Sequence, residues 1–262
     1  MKEAVLYLKM MMMKKLKTNI PWLDELLPEG ISIPSSTLIS GPGGTGKPLV
    51  EFAFVDAWLK AGGTLIGVPL QYPSGELVRI AMHQLYGTDL KNYQGKIAYI
   101  QFEPFTNRSI IINENTVRAN VLNPEIWDEA IEKAESLVDK TGLGTMVFGS
   151  ALNLLLFSKT YKWRILDKLK GVLQNDKSRT YAFAVSTSAM AEEIKTLEEV
   201  ADNLMFTRME KPMKLFLKIE RMKGVEFSKE EKEVPISAEL LKEINEIAEA
   251  TRKTRIPEIR KI

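Results

Sequence analysis

Ser35 to Phe52 reads SSTLISGPGGTGKPLVEF and contains three local signals in succession. Thr37 to Ile39 is a short apolar run of strand length. Gly41 to Gly46 is a glycine-rich turn, and from Leu49 onward the apolar residues recur with helical spacing. A strand, a glycine loop and a helix in that order make the context of a phosphate-binding loop. The spacing GxxxxGK is met by Gly41, Gly46 and Lys47. Glycines let consecutive backbone N–H groups turn inward around a phosphate, helped by the positive end of the following helix. The residues read as the nucleotide-binding set are Gly41, Gly43, Gly44, Thr45, Gly46, Lys47 and Pro48, with Lys47 neutralising the outer phosphates.

Pro48 departs from the motif. A Ser or Thr after the lysine supplies a hydroxyl to the magnesium ion that bridges the phosphates. Proline is tolerated in a first helical turn, but it brings neither hydroxyl nor N–H. One metal ligand and one phosphate donor are therefore missing.

The chain has 262 residues, 45% hydrophobic and 27% charged, enough to bury a full core. A net charge of +2 implies no global attraction to nucleic acid or to anionic membranes. Without cysteine there is no disulfide, thiolate metal site or cysteine nucleophile, in accord with a cytoplasmic protein. The single histidine, His83, lies in the apolar-periodic segment ELVRIAMHQLYG and reads as a packed or surface helix residue. The opening MKEAVLYLKMMMMKKLK is too short and too charged to span a bilayer and lacks a small-residue cleavage site. Residues 1–15 read as a lead-in, or as a start upstream of the true one.

Before the loop, TNIPWLDELLPEGI (Thr18 to Ile31) resembles the phrase TGIPGLDELLGGGI of the KaiC and RadA branch of the RecA-superfamily P-loop ATPases, matching at Pro21, Leu23, Asp24, Leu27, Gly30 and Ile31. The resemblance covers about residues 16–236. It implies an α/β, RecA-like P-loop NTPase fold with a mainly parallel central sheet flanked by helices. After it, over 237–262, Ser237 reads as the cap of an apolar-periodic helix that ends in a basic tail. The resemblance also implies ATP or ADP as ligand and a homo-oligomer with nucleotide between subunits.

Against the family pattern two further positions are altered. Where the family has the glutamate pair that polarises the attacking water, this chain has Gln71-Tyr72. Gly149, at the end of TMVFG, stands at the place of the Walker B aspartate, with Ser150 after it. Glutamine can hold a water but cannot take its proton. With Pro48, that makes three losses facing the metal or the water. The expectation is a nucleotide-binding regulatory or scaffolding subunit without metal, with Mg doubtful and no catalytic residue. Gln71 and Thr187 are expected as water or phosphate contacts.

The phrase R-M-K-G at Arg221 to Gly224 is similar to the family's K-M-R-G, so Arg221 and Lys223 are carried over as contacts to a neighbouring subunit's nucleotide. Two alternatives stand beside this reading. An active ATPase would need substitute carboxylates, with Glu51, Glu76 and Glu103 nearest in sequence. A RadA-paralogue-like accessory protein would bind single-stranded nucleic acid through the bases and aromatics from Ser158 to Arg164. The basic end ATRKTRIPEIRKI is expected to be solvated, and the protein partner stays unnamed.

Overall fold

The computed structural model describes residues 14–71 and 75–262, without the side chains of Glu76 and Leu77. The lead-in 1–13, Tyr72 and the Glu76 carboxylate lie outside the described residues. In chain order the elements are β1 (Lys14–Leu16), α1 (Pro21–Asp24), β2 (Ile31–Ile33), β3 (Ser36–Ser40), α2 (Lys47–Lys60), β4 (Thr64–Gly67) and α3 (Gly75–Tyr86). Then come β5 (Ile97–Phe102), β6 (Ile110–Asn113), β7 (Thr116–Ala119), α4 (Pro124–Glu135), β8 (Thr145–Ser150), α5 (Lys162–Asn175) and β9 (Thr180–Ala184). The chain closes with α6 (Ala191–Val200), β10 (Asn203–Glu210), β11 (Lys214–Arg221), β12 (Glu231–Glu233) and α7 (Ala238–Ile259).

The large sheet has the order β12-β11-β10-β3-β9-β8-β4-β5-β7-β6. Neighbours from β10 to β7 pair in parallel, while β11, β12 and β6 run antiparallel at the edges. This is the expected mixed α/β fold with a mainly parallel sheet. Because β3, β9, β8 and β4 are parallel, their C-terminal ends converge on one edge, where ligands of such sheets bind. The central strands are buried on both faces, as Ser36–Ser40 and Thr180–Ala184 show.

One helix is enclosed. From Lys47 to Leu59 every residue of α2 is buried, so it lacks the polar face of an ordinary surface helix. Trp58 is fully buried and donates its indole N–H to the carbonyl of Thr64 at 3.0 Å. The helix stops at Gly62, where φ of +81° ends it in the way a glycine permits. Asn123 caps α4 by accepting from Glu125 N at 3.2 Å, with Pro124 at the first position.

Three details differ from the sequence reading. The second core strand, whose residues read from the sequence as a strand from Thr64 to Leu70, ends at Gly67, because Pro69 has no N–H to continue a ladder. The stretch from Ile110 to Ala119, to which the sequence reading assigns no element, forms a hairpin, with β7 adding to β5. The basic C-terminal segment is no solvated tail: α7 continues through it to Ile259, which is buried, and Ile262 O accepts from Thr160 N at 2.9 Å. Ser237 caps that helix through Leu240 N at 3.2 Å, as expected. Ser237→Ala should lower stability by about 1 kcal/mol in urea denaturation; an unchanged midpoint would show that the helix is held by packing alone.

Candidate nucleotide site

The loop leaves β3 at Gly41, whose φ is +149° and whose missing Cβ would lie 2.4 Å from Thr207 O. Only glycine fits that approach of β3 to β10. At Gly46, φ of +56° turns the chain into α2. The amides of Gly46 and Lys47 precede the first bond of the helix, Leu49 N to Gly46 O at 2.9 Å. Thr45 is buried, its hydroxyl shared with Pro42 O at 2.9 Å and Thr207 Oγ1 at 2.7 Å.

Lys47 is folded into the loop. Its Nζ donates to Gly41 O at 3.0 Å, to Pro42 O and to Thr45 Oγ1 at 3.2 Å. Burial, and then the nearby Arg252 guanidinium, bring its pKa down to about 7. The motif lysine is thus poised to lose its proton near neutrality until an anion arrives.

A carboxylate reaches the end of β8 from one turn further along α2. Glu51 is fully buried; its Oε2 accepts from Ser150 Oγ at 2.5 Å, and Gly149 N–H also reaches the carboxylate. Its Oε1 has no hydrogen-bond partner among the described residues. Desolvation pushes its pKa up to about 8 despite those donors, so the group is neutral through most of the physiological range. Of the other carboxylates considered in the sequence, Glu103 is half-buried at the end of β5 and does not line the site cavity.

A cavity of about 500 Å³ opens over the loop. Gly43 to Pro48 line it from below, Gln71 from beyond β4, Asn153 from beyond β8, and Ser186 and Ser188 from beyond β9. Thr187 binds Gly41 O through its backbone N–H at 3.0 Å, and the hydroxyls at the cavity are those of its two neighbours. Ser188 Oγ accepts the Gly43 N–H at 2.7 Å. Among the described residues no group of three His, Cys, Asp or Glu side chains could hold a metal ion.

The fourth wall was not foreseen. One face of α7, Asn245, Ala248, Glu249 and Arg252, crosses the cavity. Asn245 Nδ2 donates to Gly44 O at 3.1 Å, and a Cβ at Gly43 would lie 3.1 Å from Arg252 Nη1. The only local signal was the helical spacing of these four residues within a charged tail.

Other residues singled out in the sequence lie elsewhere. Arg221 ends β11 and Lys223 follows it, at the opposite strand ends of the sheet, Arg221 donating to Glu198 O and to Ala201 O at 2.8 Å, Lys223 paired with Asp202 at 2.8 Å. In the basic segment, Lys162 pairs with Glu193 at 2.5 Å, Arg164 with Glu125 at 2.8 Å and Lys168 with Asp128 at 2.5 Å. Trp163 is 64% exposed, with Lys162 Nζ 4.7 Å from its ring centre. His83 is exposed on α3. No helix among the described residues is long and apolar enough to cross a membrane.

Comparison with known proteins agrees with this construction. The chain is similar to a UPF0273 protein of Aeropyrum pernix, 28% identical over 162 residues, 62% of this chain and 64% of that protein. It is also similar to UPF0273 protein PH0284 of Pyrococcus horikoshii, 37% identical over 95 residues, 36% of this chain and 38% of that one. The match thus spans less than two thirds of either relative. Among solved structures, KaiC-like protein PH0186 of Pyrococcus horikoshii superposes with a TM-score of 0.65 at 17% identity, covering 86% of this chain and 96% of that one. The family model described as "ATPase: KaiC" matches residues 16–248. With its phosphate loop at the head of a parallel sheet, the chain belongs to the KaiC ATPase family.

Proposed function

We propose that this protein binds ATP or ADP in its phosphate loop and does not hydrolyse it, acting as a regulatory or scaffolding subunit. The observation that carries the reading is Glu51. Its carboxylate is fully buried, bonded to Ser150 Oγ and Gly149 N–H at the end of β8, and does not line the cavity over the loop, where a metal or an attacking water would sit. Pro48 offers no hydroxyl, Gly149 no carboxylate, and Gln71 at the cavity wall no basic group. Nucleotide fits what remains: helix-start amides, Lys47, two serine hydroxyls and a cavity of about 500 Å³. Pro48 and Gly149 carry no side-chain oxygen at the two places from which the family resemblance would have magnesium held, so this reading leaves the metal out.

Isothermal titration of ATP and ADP, with phosphate release followed in parallel, tests this. Expected are binding to the wild type, loss of binding in Lys47→Ala, and phosphate release no faster than in that variant. Turnover well above the Lys47→Ala background would overturn the reading in favour of an active ATPase.

Binding should also take up a proton. Lys47 titrates near 7 in the free protein and is held charged by a bound phosphate. At pH 8 about 0.9 proton per ATP should be absorbed, measured in two buffers of different ionisation enthalpy. Above pH 7 the affinity should fall by about tenfold per unit. Uptake near zero at pH 8 would mean that Lys47 does not meet the phosphate. A cytoplasmic location and a homo-oligomeric state with Arg221 and Lys223 reaching a neighbour belong to the same proposal, by family resemblance.

A further inference from the structure

We propose that Arg252, on the C-terminal helix, is a phosphate-binding residue supplied in cis, and that with Lys47 it lets the site take polyphosphate anions free of magnesium. This rests on the nucleotide-binding reading and deepens it.

The geometry begins with how α7 is held. Leu241 and Ile244 bury themselves in the core on the β11 side, and Ile259 buries itself in the core on the other face of the sheet, with Ile256 packed against it. Between these anchors the helix spans the cavity with Asn245, Ala248, Glu249 and Arg252. Asn245 fastens it to the loop at Gly44 O. Arg252 is therefore presented by a helix fixed at both ends, and little freedom is lost when it grips a ligand.

Among the described residues Arg252 takes part in no ion pair, although Glu249 lies one turn before it, because Glu249 pairs with Lys253 at 3.2 Å. Instead it faces Gly43 and the cationic Lys47. Two like charges brought together over a glycine loop repel each other, and a polyanion between them relieves the repulsion. Guanidinium also matches phosphate oxygens in a bidentate way, which a lysine does not.

This supplies what the altered motif lacks. Magnesium normally offsets two charges on the bridging phosphates; here a fixed cation stands at the loop, and Ser186, Ser188 and Asn153 offer polar atoms around it. Glu249 at the rim would repel the anion's far end unless Lys253 keeps it paired. The ligand class is a di- or triphosphate, and the base is read separately.

The test titrates ATP, ADP and inorganic tripolyphosphate into the full-length wild type, Arg252→Ala and Arg252→Lys, each in EDTA and in magnesium. The wild type should bind equally well in EDTA, within about twofold. Arg252→Ala should weaken ATP by about 10- to 100-fold, the loss of a charged hydrogen bond, and magnesium should not restore it. Arg252→Lys should recover only part. The thermal midpoint of ligand-free Arg252→Ala should equal or exceed that of the wild type, since no partner is lost, which separates binding from folding. Tripolyphosphate matching ATP would assign recognition to the phosphates, and a preference for ATP would add the nucleoside; either supports the proposal if Arg252→Ala weakens both.

Unchanged affinity in Arg252→Ala, or wild-type binding abolished by EDTA, overturns the inference and leaves the nucleotide-binding reading intact. No binding by the wild type in either condition overturns both.

Discussion

Replacing Glu51 by Gln is expected to stabilise the protein by on the order of 4 kcal/mol at pH 9 and hardly at all at pH 4. Glu51 is fully buried on α2, and its only described donors are Ser150 Oγ and Gly149 N–H at one side of the carboxyl group. An ionised carboxylate there is desolvated with too little compensation, so the folded state keeps the proton to about pH 8, whereas a free glutamate loses it near 4.5. The sign follows from proton counting. Between pH 4.5 and 8 the folded state binds more protons than the unfolded one, so stability falls as pH rises through that window and is level above it. Glutamine fills the same space without the titration. The difference between the two proteins, measured by urea denaturation from pH 4 to 9, should grow through the window and then stop. Parallel curves would mean that Glu51 is ionised in the fold. Magnesium adds a second discrimination: an ion bound by Glu51 would stabilise the wild type at pH 8 and leave Glu51→Gln unmoved, whereas the inert-site reading expects neither to respond.

Glu51 also shows where sequence reading stops. The phosphate loop was legible because it is local: an apolar strand, glycines at fixed intervals and a lysine at the start of a helix all lie within Ser35 to Phe52. The core strands were legible for the same reason, as short apolar runs between turn residues. What Glu51 touches depends on β8, brought in by a parallel crossover from a hundred residues away along the chain. The hairpin β6–β7 was illegible for another reason. Ile110, Ile111 and Ile112 are all exposed to 37% or more on an edge strand, so no alternation of burial was there to be read. In α7 the charges on the outer surface dominated the composition, while the few residues that matter, Leu241, Ile244, Asn245, Arg252 and Ile259, are spread over five turns. Proline at 257 is compatible with the helix, since it lies in the last turn, where the helix is already ending. The site is thus half local motif and half tertiary assembly, and the second half distinguishes this chain from a generic phosphate loop.

Lys47→Met is expected to stabilise the ligand-free protein by about 2 kcal/mol at pH 6, to destabilise it by a similar amount at pH 10, and to abolish phosphate binding at both. Lys47 titrates near 7 in the fold and near 10.5 when exposed, so below pH 7 folding carries a charged ammonium into a place that disfavours it by on the order of 4 kcal/mol. Against that stand the bonds from Nζ to Gly41 O, Pro42 O and Thr45 Oγ1, which methionine cannot make and whose loss costs about 1–3 kcal/mol. At pH 6 the first quantity is the larger and the substitution gains. A group whose folded pKa is depressed contributes stability above its unfolded pKa and forfeits it as pH falls through the folded value. By pH 10 the ammonium penalty is almost gone and only the lost bonds remain, so the sign reverses. Denaturant midpoints at the two pH values decide the matter. Destabilisation of equal size at both would make Lys47 a structural clasp that holds the loop shut. A reversal would mean that the fold carries an ill-placed cation, which only the arrival of an anion makes worthwhile.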